Sequence, residues 1–149
     1  MLIDRLFKIA AQVACIKMDR REFHLGCAGI RSDGVMVIAA NGPVIIPAES
    51  TRSSFPKAHA EIRCSNKLDK NSVVFVSRVR RDTGMFGLAR PCPDCMRVLI
   101  SKNVKTIYYT ISQNQYGIIQ IKNKQIVSEI IKTSKIQDKP FEIKRSRKK

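Results

Sequence analysis

The sequence predicts a three-layer α/β/α domain on a mixed five-stranded sheet, followed by a basic tail. Three observations carry this reading: a helical apolar period at the start, short β-branched runs bounded by turn residues, and a proline-opened helix between two of those runs. With 149 residues the chain can bury one core and is too short for two comfortable ones, so we set the domain at 1–138 and the tail at 139–149.

Leu2, Leu6, Ile9, Val13 and Ile16 recur every three or four residues, which places them on one face of a first helix. His24–Ile30 and Val35–Ala40 are strand-like, and the turn Arg31-Ser32-Asp33-Gly34 between them makes a hairpin. Asn41-Gly42-Pro43 ends the second strand, and a Ser/Pro-rich loop over Pro47–Pro56 leads to a helix expected over Lys57–Leu68. Asn71–Val79 is a third strand, and Arg80–Pro91, with two glycines and no period, reads as a loop. Pro93 suits the first helical position, where its missing N–H costs nothing, and Met96, Val98, Leu99 and Ile100 continue that helix. Thr106–Ile111 and Gly117–Ile121 are joined by only about half a dozen residues. A parallel pair needs a longer crossover, so these two strands should pair antiparallel. Ile126, Val127, Ile130 and Ile131 suggest a short closing helix.

Lys and Arg number 28 against 12 Asp and Glu, giving a formal net charge of +16. That excess suits a polyanionic partner such as nucleic acid, or else serves solubility. No apolar run is long enough for a bilayer, and Asp4, Arg5, Lys8 and Gln12 interrupt the opening stretch, so no membrane span or leader is expected. Five cysteines, an odd number with one close pair, fit a reducing, cytoplasmic setting and a metal site better than a disulfide framework.

Two motifs carry chemistry. His59-Ala60-Glu61 lies in the second expected helix, and Pro91-Cys92-Pro93-Asp94-Cys95 opens the third, about 30 residues later. One imidazole and two thiolates leave the fourth position of a tetrahedral zinc open to water, which distinguishes a catalytic site from a closed structural one. Zinc makes water a nucleophile near neutral pH, and a carboxylate such as Glu61 must then shuttle the protons. Cys92 and Cys95 stand three apart at a helix start, so their sulfurs can converge on one ion, and that end of the helix favours thiolate. The competing reading is a structural zinc site closed by Cys15, Cys27 or Cys64, although cysteines like these more often fill small apolar spaces.

In this order, H-x-E followed by P-C-x-x-C, the chain resembles the cytidine deaminase superfamily from its first helix to about Ile121. The resemblance implies a cytidine-deaminase-like fold, one catalytic zinc on His59, Cys92 and Cys95, and Glu61 as the proton carrier. It further implies that Asn41 contacts the substrate sugar, that the Ala60 N–H faces the base carbonyl, and that the carbonyl of Arg90 or Pro91 receives the amine. Asn41 is also readable as a turn residue capping the strand. Free-nucleoside members usually carry Cys where His59 stands, whereas His-bearing members insert a helix where Ser112–Tyr116 has no room for one. The chain therefore resembles a compact, divergent branch.

Arg78, Arg80, Arg81 and Arg90 bracket Gly84-Met85-Phe86-Gly87. Either the arginines hold phosphates while Phe86 stacks on a base, or Phe86 is core and the arginines are solvated. Tyr108 and Tyr109 should face opposite sides of their strand. Lys139, Lys144, Arg145, Arg147, Lys148 and Lys149 face only Glu142 in the tail, which suits phosphate attraction or plain solubility. The expected reaction is zinc-dependent deamination of cytosine to uracil on a phosphate-bearing substrate, leaning to single-stranded DNA or RNA. Free dCMP, CMP or a nucleoside, adenosine in RNA, and a non-catalytic zinc module that binds nucleic acid are the alternatives. Oligomeric state is left open.

Overall fold

The computed structural model describes residues 2–16, 23–40, 42–43, 57–58 and 64–142. Its elements are α1 (Leu2–Ile16), β1 (Phe23–Ile30), β2 (Met36–Ala40), β3 (Gly42–Pro43), β4 (Lys57–Ala58), β5 (Val73–Arg80), β6 (Phe86–Gly87), α2 (Pro93–Ser101), β7 (Thr106–Ser112), β8 (Gln115–Lys122) and β9 (Gln125–Thr133). The main sheet runs β2-β1-β5-β7-β8-β9, with β6 added beside β5. Only β5 and β7 pair parallel among its described strands. The mixed sheet, the β1–β2 hairpin and the antiparallel β7–β8 pair are as the sequence predicts.

β5 shows how one strand serves two cores. Val74 and Val76 point into a cluster with Leu99, Val104, Ile107 and Ile119 under α2, whereas Phe75 and Val79 join Leu6, Phe7, Tyr116 and Ile136 under α1. This alternation is the period-2 geometry of a strand buried on both faces. Tyr108 and Tyr109 divide likewise, Tyr108 stacking on Phe75 at 4.4 Å and Tyr109 lying in the α2-side cluster. Phe7 is fully buried at the centre of the α1 side, edge-on to Phe75 at 5.4 Å and to Tyr116 at 5.6 Å.

The buried stripe of α1 is Leu6, Phe7, Ala10, Ala11 and Ala14, while Ile9 and Val13, expected at its centre, are only half-buried. Close approach decides this. A Cβ on Gly26 of β1 would fall 1.9 Å from the Ala10 carbonyl oxygen, so helix and sheet touch backbone to backbone and alanines, not isoleucines, face the contact. The Ser77 hydroxyl crosses the same seam and donates to the Phe7 carbonyl at 2.8 Å. At one end of the sheet the Asp69 carboxylate accepts the N–H of Ser32 at 3.0 Å and its hydroxyl at 2.7 Å, which with Ser72 holds its pKa down at about 2.

Four expectations need correction. Lys57–Ala58 is not the start of a helix but a two-residue strand pairing with Gly42–Pro43; Cys64 and Ser65 are helical and a turn follows, while 59–63 lie outside the described residues. Within the loop expected over Arg80–Pro91, Phe86–Gly87 folds back to pair with Arg78–Val79. The closing helix is instead β9, paired with β8 across the tight turn Asn123-Lys124. Its doublets of β-branched residues fit a pleated strand as well as a helix face, and the free edge of β8 offers backbone partners that an isolated helix lacks. The described sheet therefore has seven strands, the five expected ones plus β6 and β9.

Beyond β9 the chain recrosses the α1 side. Ile136 N–H donates to the Gln113 carbonyl at 2.8 Å, buried Gln137 accepts the Phe86 N–H at 2.8 Å, and Phe141 N–H donates to the Gly84 carbonyl at 2.8 Å. The first residues of the stretch read as a tail are thus anchored to the body. Truncating Phe7 to Ala empties the centre of this core and is expected to destabilise the fold by about 3–5 kcal/mol, read as a shift of the urea unfolding midpoint at unchanged slope.

Candidate active site

Between β5 and β7 the chain must travel from one end of the sheet to the other, and α2 is the returning limb. The segment before it is pinned to the strand ends. Ala89 N–H donates to the Thr110 carbonyl at 2.9 Å, and the Thr110 hydroxyl donates to the Gly87 carbonyl at 2.8 Å while accepting the Arg78 N–H at 3.2 Å. Pro91 is fully buried. Cys92 then caps α2 in an extended conformation (φ −67°, ψ 166°), its carbonyl accepting the Met96 N–H at 2.8 Å, and Pro93 takes the first helical position as the sequence predicts. Cys92 is half-buried and Cys95, one turn in, is fully buried.

A thiol pair at one helix start, with none of the five cysteines in a disulfide, fits as half of a zinc site. The remaining cysteines stand elsewhere. Cys27 and Cys64 are buried in the α2-side core, and Cys15 lies in the α1-side core, where burial pushes its thiol up to about 11. Among the described residues no three His, Cys, Asp or Glu side chains come together as a metal-holding group, so none of these cysteines completes a closed site with Cys92 and Cys95. His59, Ala60, Glu61 and Asn41 lie outside the described residues.

A polar cluster that sequence reasoning missed borders the motif. Arg90, two residues before Cys92, forms a bidentate pair with Glu129 of β9, Nε to Oε2 at 2.8 Å and Nη2 to Oε1 at 3.0 Å. The Tyr109 hydroxyl donates to the same Oε2 at 2.5 Å. Tyr109 reaches it by lying over Gly117, where a Cβ would come within 2.2 Å of its ring. Burial, then the Glu129 bond, raises the Tyr109 hydroxyl to about 12, and the Arg90 fork holds Glu129 below the usual carboxylate range. Glu129 is the one acid in β9, and a lone carboxylate in a β-branched run was the signal available.

Phe86 is corrected as a base-stacking residue. It is buried against Phe7 and Phe141 in the α1-side core, and so cannot offer a ring face to a ligand. The arginines around it have partners in the fold as well. Arg78 donates to the Leu88 carbonyl at 3.0 Å, Arg80 pairs with Asp82 at 3.3 Å, and the Arg90 side chain is committed to Glu129.

The Glu129 cluster yields a pH-dependent outcome. A carboxylate whose pKa is depressed on folding contributes stability above its unfolded value of about 4.3, and the contribution is lost as pH falls through the lower folded value. Because the pair is partly exposed, Glu129→Gln should cost less than about 1 kcal/mol at pH 7. The deficit should shrink steadily below about pH 4 as the parent protonates, measured as the difference in unfolding free energy across a pH series.

No family model and no curated protein matches the sequence. Solved structures do match the fold. A cytidine deaminase from Burkholderia pseudomallei superimposes with a TM-score of 0.55 at 14% identity, over 89% of this chain and 93% of that one. A cytidine deaminase from Mycobacterium tuberculosis gives 0.50 at 18% identity, over 72% and 82%. At these identities the likeness speaks for architecture: the chain has the cytidine deaminase fold.

Proposed function

We propose that this protein is a zinc-dependent hydrolytic deaminase converting cytosine to uracil in a phosphate-bearing substrate, with single-stranded DNA or RNA favoured over free dCMP or CMP. The observation that carries the reading is the placement of Cys92 and Cys95 at the head of the crossover helix, in a sheet with the cytidine deaminase fold. That head lies at the carboxyl end of the parallel strand pair, where open α/β sheets bind their ligands.

His59, Cys92 and Cys95 are the residues that would hold zinc. Bound there, the ion would supply Lewis acidity that makes water nucleophilic near neutral pH. Glu61 takes one proton from the attacking water and delivers it to the ring nitrogen, then moves the proton of the added hydroxyl to the amine, so that the carbon–nitrogen bond breaks, ammonia leaves and a carbonyl remains. Asn41 holds the sugar, the Ala60 N–H meets the base carbonyl, and the carbonyl of Arg90 or Pro91 receives the amine. The Arg90–Glu129 fork would keep that carbonyl segment in register with the thiol pair. The polynucleotide preference rests on the net charge of +16, which exceeds what one mononucleotide attracts.

Purified protein is expected to carry about one zinc per chain by elemental analysis, and Cys92→Ser to lose it. A panel of dCMP, CMP, cytidine, single-stranded DNA and RNA, read by mass spectrometry, should show uracil in the oligonucleotides. Inosine instead of uracil would move the chemistry to adenine, and turnover of mononucleotides alone would remove the polynucleotide preference. Glu61→Gln should keep its zinc and lose about 10²–10⁴-fold in rate. A parent with bound metal and no turnover on any substrate marks a binding module instead.

A further inference from the structure

The opposite end of α2 from the cysteines opens on a groove of about 870 Å³. It lies between the loops leading into β5 and β7 and the β8–β9 turn. Lys70, Lys105, Lys122 and Lys124 line it, and no acidic residue does among the described ones. None of the four ammonium groups pairs with a described carboxylate. The framework beneath them is fixed: Asn71 N–H donates to the Asn103 carbonyl at 2.8 Å, Lys105 N–H to Ser72 at 2.8 Å, and Ile121 N–H to Lys105 at 2.9 Å.

Backbone conformation sets this groove apart from the rest of the surface. Asn71, Asn103, Asn123 and Lys124, at φ 69°, 61°, 53° and 61°, are the only described non-glycine residues with positive φ, and all four line it. Asparagine tolerates that region. Lysine does not favour it, and the second position of a two-residue hairpin turn with both φ values positive normally takes glycine. Lys124 therefore keeps a charge at the groove against the local preference of the chain.

We propose that this groove binds the sugar–phosphate backbone of single-stranded nucleic acid, a second contact region beyond the cysteine end of α2. The inference deepens the polynucleotide part of the proposed function and does not depend on catalysis. Four cations around this volume exceed the need of one small anion. The amides of Asn71, Asn103 and Asn123 offer donors and acceptors to base edges and sugar hydroxyls, and exposed Val127 supplies an apolar contact for a base or sugar. A flat bilayer surface would meet the lysines of the rim and leave those amides unused. From Cys92 to Asn103 the helix rise gives about 15 Å, so one strand can engage both ends of α2.

The test is fluorescence anisotropy of labelled single-stranded DNA and RNA with the zinc-loaded full chain at stepped salt. The groove variant is Lys122→Gln with Lys124→Gly, and the control, removing equal charge from exposed positions elsewhere, is Lys8→Gln with Lys132→Gln. The groove variant should bind at least tenfold more weakly, lose about 1.4 from its log–log salt slope, and melt no lower than the parent, since glycine suits the turn. The control should change affinity less than threefold. Equal losses in both variants would mean diffuse charge alone binds the strand, which overturns the groove, as does parent-like binding by the groove variant. So does a groove variant that loses only phosphatidylserine-vesicle binding in co-sedimentation and keeps the oligonucleotide. Groove-dependent binding without turnover would sink the deaminase reading and leave the groove standing, whereas turnover of mononucleotides without oligonucleotide binding would do the reverse.

Discussion

The parallel pairing of β5 with β7 is the constraint on which the rest of the structure depends. Antiparallel neighbours can be joined by a tight turn, as β7 and β8 are, but parallel ones need a crossover. The chain leaves β5 at Arg80 and enters β7 at Thr106, both near opposite ends of the sheet, so α2 has to span the distance between. Its first turn is thereby delivered to the carboxyl ends of the strands with Cys92 and Cys95, and its last turn to the amino ends with Asn103 and Lys105. One helix places the thiol pair at one pole and the lysine-lined groove at the other.

The strand β9 connects the two poles in a different way. At one end its turn supplies Lys124 to the groove; along its length Glu129 holds Arg90 and Tyr109 beside the cysteine motif. The sheet therefore gains more than one further row of backbone bonds. A carboxylate depressed by a guanidinium and a phenol raised first by burial and then by the same carboxylate form a stable charge pattern across neutral pH, and that pattern adjoins the segment proposed to receive the leaving amine.

Much of this was legible in the residues. The turn ending in Asp33-Gly34, the short Ser112–Tyr116 connection and Pro93 are local signals whose physics does not wait on tertiary context, and each lies where the sequence placed it. The buried stripe of α1 was not, because the choice of Ala10 over Ile9 depends on how closely Gly26 lets the helix approach. Nor was β9, since the spacing of Ile126, Ile130 and Ile131 satisfies a helical period while the open edge of β8 decides for a strand. Phe86 stands between these cases: both the core and the stacking readings were open, and contact with Phe7 selects the core. The thiol half of the candidate site stands in the structure, whereas the His59-Ala60-Glu61 half rests on its motif.

The outermost strands have a consequence for handling the molecule. β2 exposes Met36 and Ile38, and β9 exposes Ile126, Val127, Ile130 and Ile131; among the described residues no further strand covers either end of the sheet, so both combine apolar side chains with ladder groups that no described strand shares, a template for intermolecular cross-β stacking. Mutual repulsion between chains of +16 opposes that stacking, and its range contracts from about 10 Å in 0.1 M salt to about 3 Å in 1 M. Colloidal dispersion in this protein is therefore a property of dilute electrolyte, and concentrated brine is the medium in which its edges would find one another.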